Sequence, residues 1–437
     1  MSKLFTSLPP SPSAGPAATL PYDVAVVGGG PAGLAAALEA ALNGAAVTLL
    51  EGEATVGKKL LLTGGGRCNF SRTGTVADFV QGFHENGPFL YSALTRFDNQ
   101  HYCNFLQAEK VSITADASGR LLTQLGRASL VRDAFLKAFK RAGGSVFYHS
   151  KVLELTAPAP SPDGDSARFK LKTDRHSFSS LAVVLAGGAP CYPQTGSDGS
   201  LLPLAARLGL KLAPLSPALC AIPVELKNVS SLAGISLADA QLTVKRGKKK
   251  LAQERGSLLF THQGISGPIA LNLARWLSDR NLNLELNLLP DETAGSCSEK
   301  IDQAGQNNKK LNLRNYLRRS FPLALSYFVL EKLNLDPARP LAQTARPDRE
   351  ALAQHLTQFS LPYAKLPPLA KGMTCRGGLE LKEFDPRSLM ARRCPGLFAC
   401  GDILDLDGKS GGYNLQAAYS TGRLAGLEAA RFCQDSR

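Results

Sequence analysis

The first residues that could do chemistry are three glycines, Gly28-x-Gly30-x-x-Gly33, set between two apolar runs. The run before them carries Val24, Val26 and Val27; an Ala-rich stretch follows to Asn43-Gly44, and a second run ends on Glu51. Gly28 permits a tight strand-to-helix turn, Gly30 lets backbone approach a pyrophosphate, and Gly33 allows close helix–strand packing. The helix N-terminus that they open offers N–H groups and positive potential to phosphate. Glu51 is placed to accept hydrogen bonds from a ribose diol. Strand, helix and acid in this order predict a dinucleotide site. A glycine-rich turn in an unrelated α/β protein is the alternative.

A second constellation follows at Gly57-Lys58-Lys59-Leu-Leu-Leu-Thr63-Gly64-Gly65-Gly66-Arg67-Cys68-Asn69. Consecutive glycines let backbone N–H groups converge on an anion or a flat ring, and Lys58 or Arg67 would offset phosphate charge. The bland reading is a flexible surface loop. Far down the chain, Gly401-Asp402 ends an apolar run, and Gly411-Gly412-Tyr413-Asn414-Leu415 opens a helical pattern. An Asp in that position suits a ribityl hydroxyl, and helix-start amides would stabilise negative charge on a reduced flavin. There is no second Gly-x-Gly-x-x-Gly, so FAD is expected as the tightly held dinucleotide and NAD(P)H as a transient reductant.

Saturating a conjugated C=C also needs a proton donor close to its target carbon. Cys68 follows the glycine loop, and neighbouring N–H groups and Arg67 would lower its pKa; the competing reading is an inert core thiol. His262, in Thr261-His262-Gln263-Gly264-Ile265-Ser266-Gly267-Pro268, would donate near neutral pH, or else is a turn histidine bonded to backbone. Tyr192 and Tyr413 are weaker candidates. The remaining histidines form no pair at metal-ligand spacing, so no metal is expected.

These residues must be positioned by 437 residues, enough for two or three domains. Residues 1–20 read as a disordered leader rich in Pro, Ser and Ala. A helix is expected over 128–142, strands near 145–155, 168–173, 181–185 and 395–402, and a closing helix over 414–433. Nucleotide-binding signals at both ends predict one FAD domain from 21–195 and 370–437, with 196–369 as an insert. No stretch is apolar enough to span a membrane, and nine cysteines without a C-x-x-C pair suit a reducing, cytoplasmic setting. The net charge of +14 favours polyanions. Between Gln241 and Ser320 there are 14 Lys/Arg against 7 Asp/Glu, densest at Lys245–Lys250 and Lys309–Arg319. These clusters are expected on the flavin-entrance side of the insert, as an RNA-binding surface; the alternative is a solvated hairpin tip and helix face.

The runs at 58–69, 186–199 (Ala-Gly-Gly-Ala-Pro-Cys-Tyr-Pro-Gln-Thr-Gly-Ser-Asp-Gly), 259–268 and 401–416 together resemble the BaiN/RdsA group of FAD-dependent oxidoreductases, over nearly all of 21–430. The resemblance implies an α/β, FAD-binding Rossmann-like fold of the two-dinucleotide-binding-domain type. Its insert would be a small β-barrel (about 200–290 and 360–369) carrying a helical subdomain (about 291–359). Members of similar sequence include a reductase of unsaturated bile-acid ketones, a ribosomal-RNA dihydrouridine synthase and an aminoacetone oxidase. Asp402 stands where many members carry Glu, and Cys191 where Ser or Arg is more usual. The expected cofactor contacts are Gly28, Gly30, Pro31, Ala32, Gly33, Glu51, Gly52, Lys58, Lys59, Thr63, Gly64, Gly65, Gly66, Arg67, Val152, Ala186, Gly187, Gly188, Gly401, Asp402, Gly411, Gly412, Tyr413, Asn414 and Leu415.

Three functions compete. The first is an NAD(P)H-driven reductase of an activated C=C, with uridine in ribosomal RNA as the substrate that the basic insert favours. The second keeps the enzyme but makes the substrate a small unsaturated ketone, or an amine oxidised with O₂. The third is a nucleic-acid-binding flavoprotein without turnover. The sequence leaves the oligomeric state open.

Overall fold

The computed structural model describes residues 19–158, 168–277 and 282–436; residues 1–18 of the expected leader lie outside them, and Leu20 already begins the first strand. The chain opens with strand β1 (Leu20–Val27), helix α1 (Pro31–Leu42) and strand β2 (Val47–Leu50). Pro31 sits at the first helical turn, where a missing N–H costs nothing. The helix stops at Asn43, before Gly44 at φ +81°.

β1 is central in a seven-stranded sheet that is parallel except where Phe169–Lys172 runs antiparallel between Ser177–Leu185 and Glu154–Thr156. It pairs with β2 on one side and with Ser177–Leu185 on the other, and Ser145–Phe147 extends the sheet beyond β2. The apolar runs Val24–Val27 and Leu181–Leu185 are buried on both faces, as a covered parallel sheet requires. Leu397–Ala399 joins parallel to Val183–Leu185, so residues from both ends of the chain build one sheet. The long C-terminal helix (Tyr413–Asp435) then crosses α1. A Cβ at Gly422 would lie 2.3 Å from the Ala32 carbonyl oxygen, and one at Gly426 2.1 Å from that of Ala36. Only glycine at this four-residue spacing lets the two backbones approach so closely.

The helix expected over 128–142 runs Ala128–Arg141. Between the first βαβ unit and that helix the structure adds short helices and a three-stranded antiparallel sheet (Asn69–Arg72, Arg120–Thr123, Ile113–Ala115). No periodic signal marked these elements. The Lys- and Gly-rich stretch after Gly57 is not an irregular loop. It forms a turn of helix, Lys58–Leu62, and a 3-10 turn, Thr63–Gly66, in which all three glycines take positive φ.

The second lobe hangs on a two-stranded antiparallel stem, Leu212–Ala218 with Thr374–Leu379. It contains a six-stranded antiparallel sheet whose order runs from Ile222–Pro223 to Phe359–Leu361. The two edges meet through Glu225 N–H to the Pro362 carbonyl (2.7 Å) and Ala364 N–H to the Pro223 carbonyl (3.1 Å). The sheet thereby closes into a small barrel and leaves no long free edge. Helices between Ala294 and Thr357 leave the barrel after Asn287 and share its apolar core. One expected boundary shifts. Helix Leu201–Arg207, placed in the insert from sequence, packs Leu201, Leu202, Leu204 and Ala205 into the core of the first lobe. Four apolar side chains need that core, so the seam falls at the stem rather than at 196.

Candidate active site

A cavity of about 590 Å³ lies between the C-terminal edge of the parallel sheet and the barrel lobe. That is the usual ligand position in an open α/β sheet, and the volume is ordinary for a cofactor or small-molecule site. Its floor is the turn from β1 into α1. Gly28 holds φ +106°, and a Cβ there would lie 2.6 Å from the Ala186 carbonyl oxygen. A Cβ on Gly33 would lie 1.9 Å from the Gly28 carbonyl oxygen, so Gly33 serves packing and stays outside the lining. Gly30 has open space where a side chain would project, leaving bare backbone toward the cavity at the start of α1.

Glu51 follows directly on β2 and is buried. Its carboxylate accepts the Gly29 N–H and the Glu53 N–H, each at 2.8 Å. Burial raises its pKa, against those two N–H groups, which favour the charge. Lys59 reaches across to Asp402, Nζ to Oδ2 3.0 Å, joining the motif at 57–69 to the one at 401–416. Burial opposes the Lys59 charge, but Asp402 outweighs it and holds the ammonium above the ordinary lysine range. Lys58 pairs with Glu53, and Lys151 with Asp198. At the far end, Gly411 and Gly412 take positive φ ahead of the C-terminal helix, and a Cβ on Gly412 would lie 2.3 Å from the Ser71 carbonyl oxygen.

Of the residues expected at the cofactor, Gly28, Gly30, Pro31, Ala32, Glu51, Gly52, Lys58, Lys59, Thr63, Gly64, Gly65, Val152, Ala186, Gly187, Gly188, Asp402, Gly411, Gly412, Asn414 and Leu415 line the cavity. Gly33, Gly66, Arg67, Gly401 and Tyr413 do not. Gly401 is pressed against Ala32, where a Cβ would meet the Ala32 Cβ at 2.6 Å. Tyr413 packs edge-on against Phe79 and Phe83 beneath the Arg72 guanidinium.

Neither expected proton donor reaches the site. Cys68 is fully buried in the first core, and burial pushes its thiol up to about 12, the opposite of the activation expected from Arg67 and the glycine loop. His262 is exposed at the turn between Lys249–Thr261 and Gly264–Ser266 and is absent from the lining. What the barrel lobe and stem do contribute is apolar: Leu219, Pro268, Leu271 and Met373, facing Leu62 on the first lobe. Sequence reasoning missed these, and also Arg120, Lys151 and Thr374. Arg120 lies on a hairpin with no motif. Tyr192 and Leu219 line the cavity at positive φ (58° and 48°) without being glycine, local strain of the kind that gathers at functional sites.

The two basic clusters belong to different parts of the insert, a hairpin tip and the helical lobe. Lys245 pairs across the sheet with Asn283, whereas the helical lobe bearing Lys309–Arg319 departs from Asn287 at the other end of that strand, about 14 Å away. Neither cluster lines the cavity, and Lys245 is tied to Glu285.

A parallel sheet with a glycine turn, a ribose-ready acid and a second helix start at one cavity defines the class, an FAD-dependent oxidoreductase of Rossmann type. Within that class the chain belongs to the HI0933-like family, since the model of the HI0933-like protein Rossmann domain matches residues 22–428. It is 28% identical to a 3-dehydro-bile acid delta(4,6)-reductase of Clostridium scindens, over 93% of this chain and 98% of the relative. It is 25% identical to a ribosomal RNA dihydrouridine synthase of Haemophilus influenzae, with the same two coverages. Its fold is similar to that of a 3-ketosteroid-delta4-(5alpha)-dehydrogenase from Rhodococcus jostii, at a TM-score of 0.52, 16% identity and coverage of 94% and 97%. Among the described residues no helix is long and apolar enough to cross a membrane.

Proposed function

We propose that this protein holds FAD in the cavity and uses NAD(P)H to saturate a C=C conjugated with a carbonyl in a small, flat, largely apolar molecule. The apolar wall of Leu219, Pro268, Leu271 and Met373 carries the choice of substrate. The residues fit the cofactor. Bare backbone at Gly30 and Gly65 leaves room for a group pressed against it, Glu51 has lone pairs left for a ribose diol, and Asp402 and Lys59 suit a ribityl chain and a phosphate. Bound FAD supplies a two-electron carrier that accepts hydride from a nicotinamide and passes it to the substrate.

The chain's own residues do the rest. The start of α1 would hold the pyrophosphate. The start of the C-terminal helix, at Gly412, would favour negative charge on a flavin bound in the cavity. The barrel lobe excludes water and positions the enone. For the proton, the lining contains neither histidine nor cysteine. Its lysines are paired with carboxylates, and Arg120 is too weak an acid. Tyr192 Oη, a phenol in the lining, is then the proton donor.

The two relatives named as ribosomal RNA dihydrouridine synthases and the net charge of +14 support a second reading, uridine in ribosomal RNA. Against it, neither basic cluster lines the cavity. Anaerobic holoprotein reduced with NADH or NADPH separates the two. Rapid reoxidation of the flavin by planar enones and not by unmodified ribosomal RNA is expected. Reoxidation by RNA alone, or loss of a ribosomal dihydrouridine on gene deletion, would overturn the small-molecule reading.

A further inference from the structure

We propose that Cys191 and Cys375 form an oxidisable dithiol behind the cavity wall, which a hydroperoxide closes to a disulfide. Cys191 lies in the turn after Gly188, on the first lobe; Cys375 lies in Thr374–Leu379, the strand by which the chain returns from the barrel lobe. The two thiols are buried and, with Ala189, form a small cluster of their own, separate from the main cores. The Cys375 thiol is within hydrogen-bond reach of the Cys191 sulfur and 3.0 Å from the Arg376 carbonyl oxygen. A chain neighbour of each, Tyr192 after Cys191 and Thr374 before Cys375, lines the cavity. A small oxidant in the cavity is therefore one residue away from both sulfurs.

The surroundings distinguish this pair from the other cysteines. The Cys375 hydrogen bond, with help from Lys59 and against burial, holds the Cys191 thiol below its usual range, while Cys375 is held above it. Burial instead pushes Cys103, Cys220 and Cys297 up to about 11. One sulfur with thiolate character beside one that keeps its proton is the arrangement that stepwise oxidation needs.

The Cys191 sulfur attacks the peroxide; the O–O bond breaks, an S–O bond forms, and an alcohol (water, from hydrogen peroxide) leaves. The Cys375 sulfur then displaces the hydroxyl as water, breaking S–O and forming S–S. Both thiol protons end in the released alcohol and water, both sulfurs are oxidised, and the peroxide oxygens are reduced. The product ties the lobes covalently at the stem.

The test uses the full-length protein as purified, reduced, desalted and exposed to hydrogen peroxide, then denatured and alkylated with N-ethylmaleimide. Of nine cysteines, seven are expected to alkylate, with a cross-linked peptide joining Cys191 to Cys375. Cys191→Ser should leave all eight remaining thiols alkylatable. Cys375→Ser should strand Cys191 as a sulfenic acid that dimedone traps. Nine adducts after peroxide, or a disulfide linking any other two cysteines, would overturn the proposal.

Discussion

Arg275 is the sharpest place to test how the two lobes are held together. It belongs to the barrel lobe and is only 3% exposed. Its guanidinium donates from Nε to Asp407 Oδ2 (2.8 Å) and from Nη2 to Asp407 Oδ1 (3.2 Å), with two further bonds of 3.1 Å to Glu85. Both acids belong to the first lobe, and Asp407 is as buried as Arg275. Arg275→Met strands Asp407 without its partner, a change that costs about 3–5 kcal/mol. The lower end applies because Glu85 is half exposed and falls back on water and Arg376. Even 3 kcal/mol lowers the folded-to-unfolded ratio by more than about a hundredfold. The assay is urea unfolding followed by the fluorescence of Trp276, the chain's single tryptophan, whose ring centre lies 5.5 Å from the Arg275 guanidinium. The pH dependence gives a second readout. Burial opposes ionisation of Glu85, but the Arg275 bonds outweigh it and bring the carboxyl down to about 2. Its contribution is present above the ordinary Glu value near 4.3 and is lost as pH falls toward 2. In Arg275→Met that acid-side loss shrinks. Asp407, already raised by burial, rises further, so the variant gains stability as pH falls from 7 toward 5. Arg275→Met/Asp407→Leu should recover much of the loss. A single variant less than about 1 kcal/mol weaker than the parent, with an unchanged pH slope, would refute the reasoning.

Gly28→Ala puts a methyl group 2.6 Å from the Ala186 carbonyl oxygen at φ +106°, and Glu51→Lys replaces the buried acid with a cation. Both should purify with little yellow colour, and FAD released on denaturation measures it. Cys68→Ala and His262→Ala should retain turnover within about twofold of the parent, because neither reaches the cavity. A far larger fall in kcat at either would restore it as an acid. Tyr192→Phe should lower kcat by roughly 10²–10⁴-fold while leaving FAD content unchanged. A normal rate in that variant would return proton delivery to water.

The nucleotide half was legible because its physics is local. A glycine turn, the helix after it and the acid closing the second strand lie within about thirty residues, and each residue type answers a backbone or charge requirement at its own position. Gly401-Asp402 and Gly411-Gly412 were legible for the same reason. What lies across the cavity was not. Leu219, Pro268, Leu271 and Met373 are apolar residues in a chain full of them, and only closure of the barrel onto its stem brings them to one wall. Arg120 gave no signal, being on a hairpin without a motif. Cys68 was misjudged because sequence shows that a thiol follows a glycine loop but not that its φ of +55° turns it into the core, where burial raises its pKa. The basic clusters were visible as composition, but composition could not say whether they reach the cavity, and neither lines it. The sequence alone therefore determined the Rossmann-type lobe and its cofactor, which rest on short-range backbone geometry. The tertiary structure alone decided which side chains line the far wall of the cavity, because that wall is assembled from segments far apart in the chain.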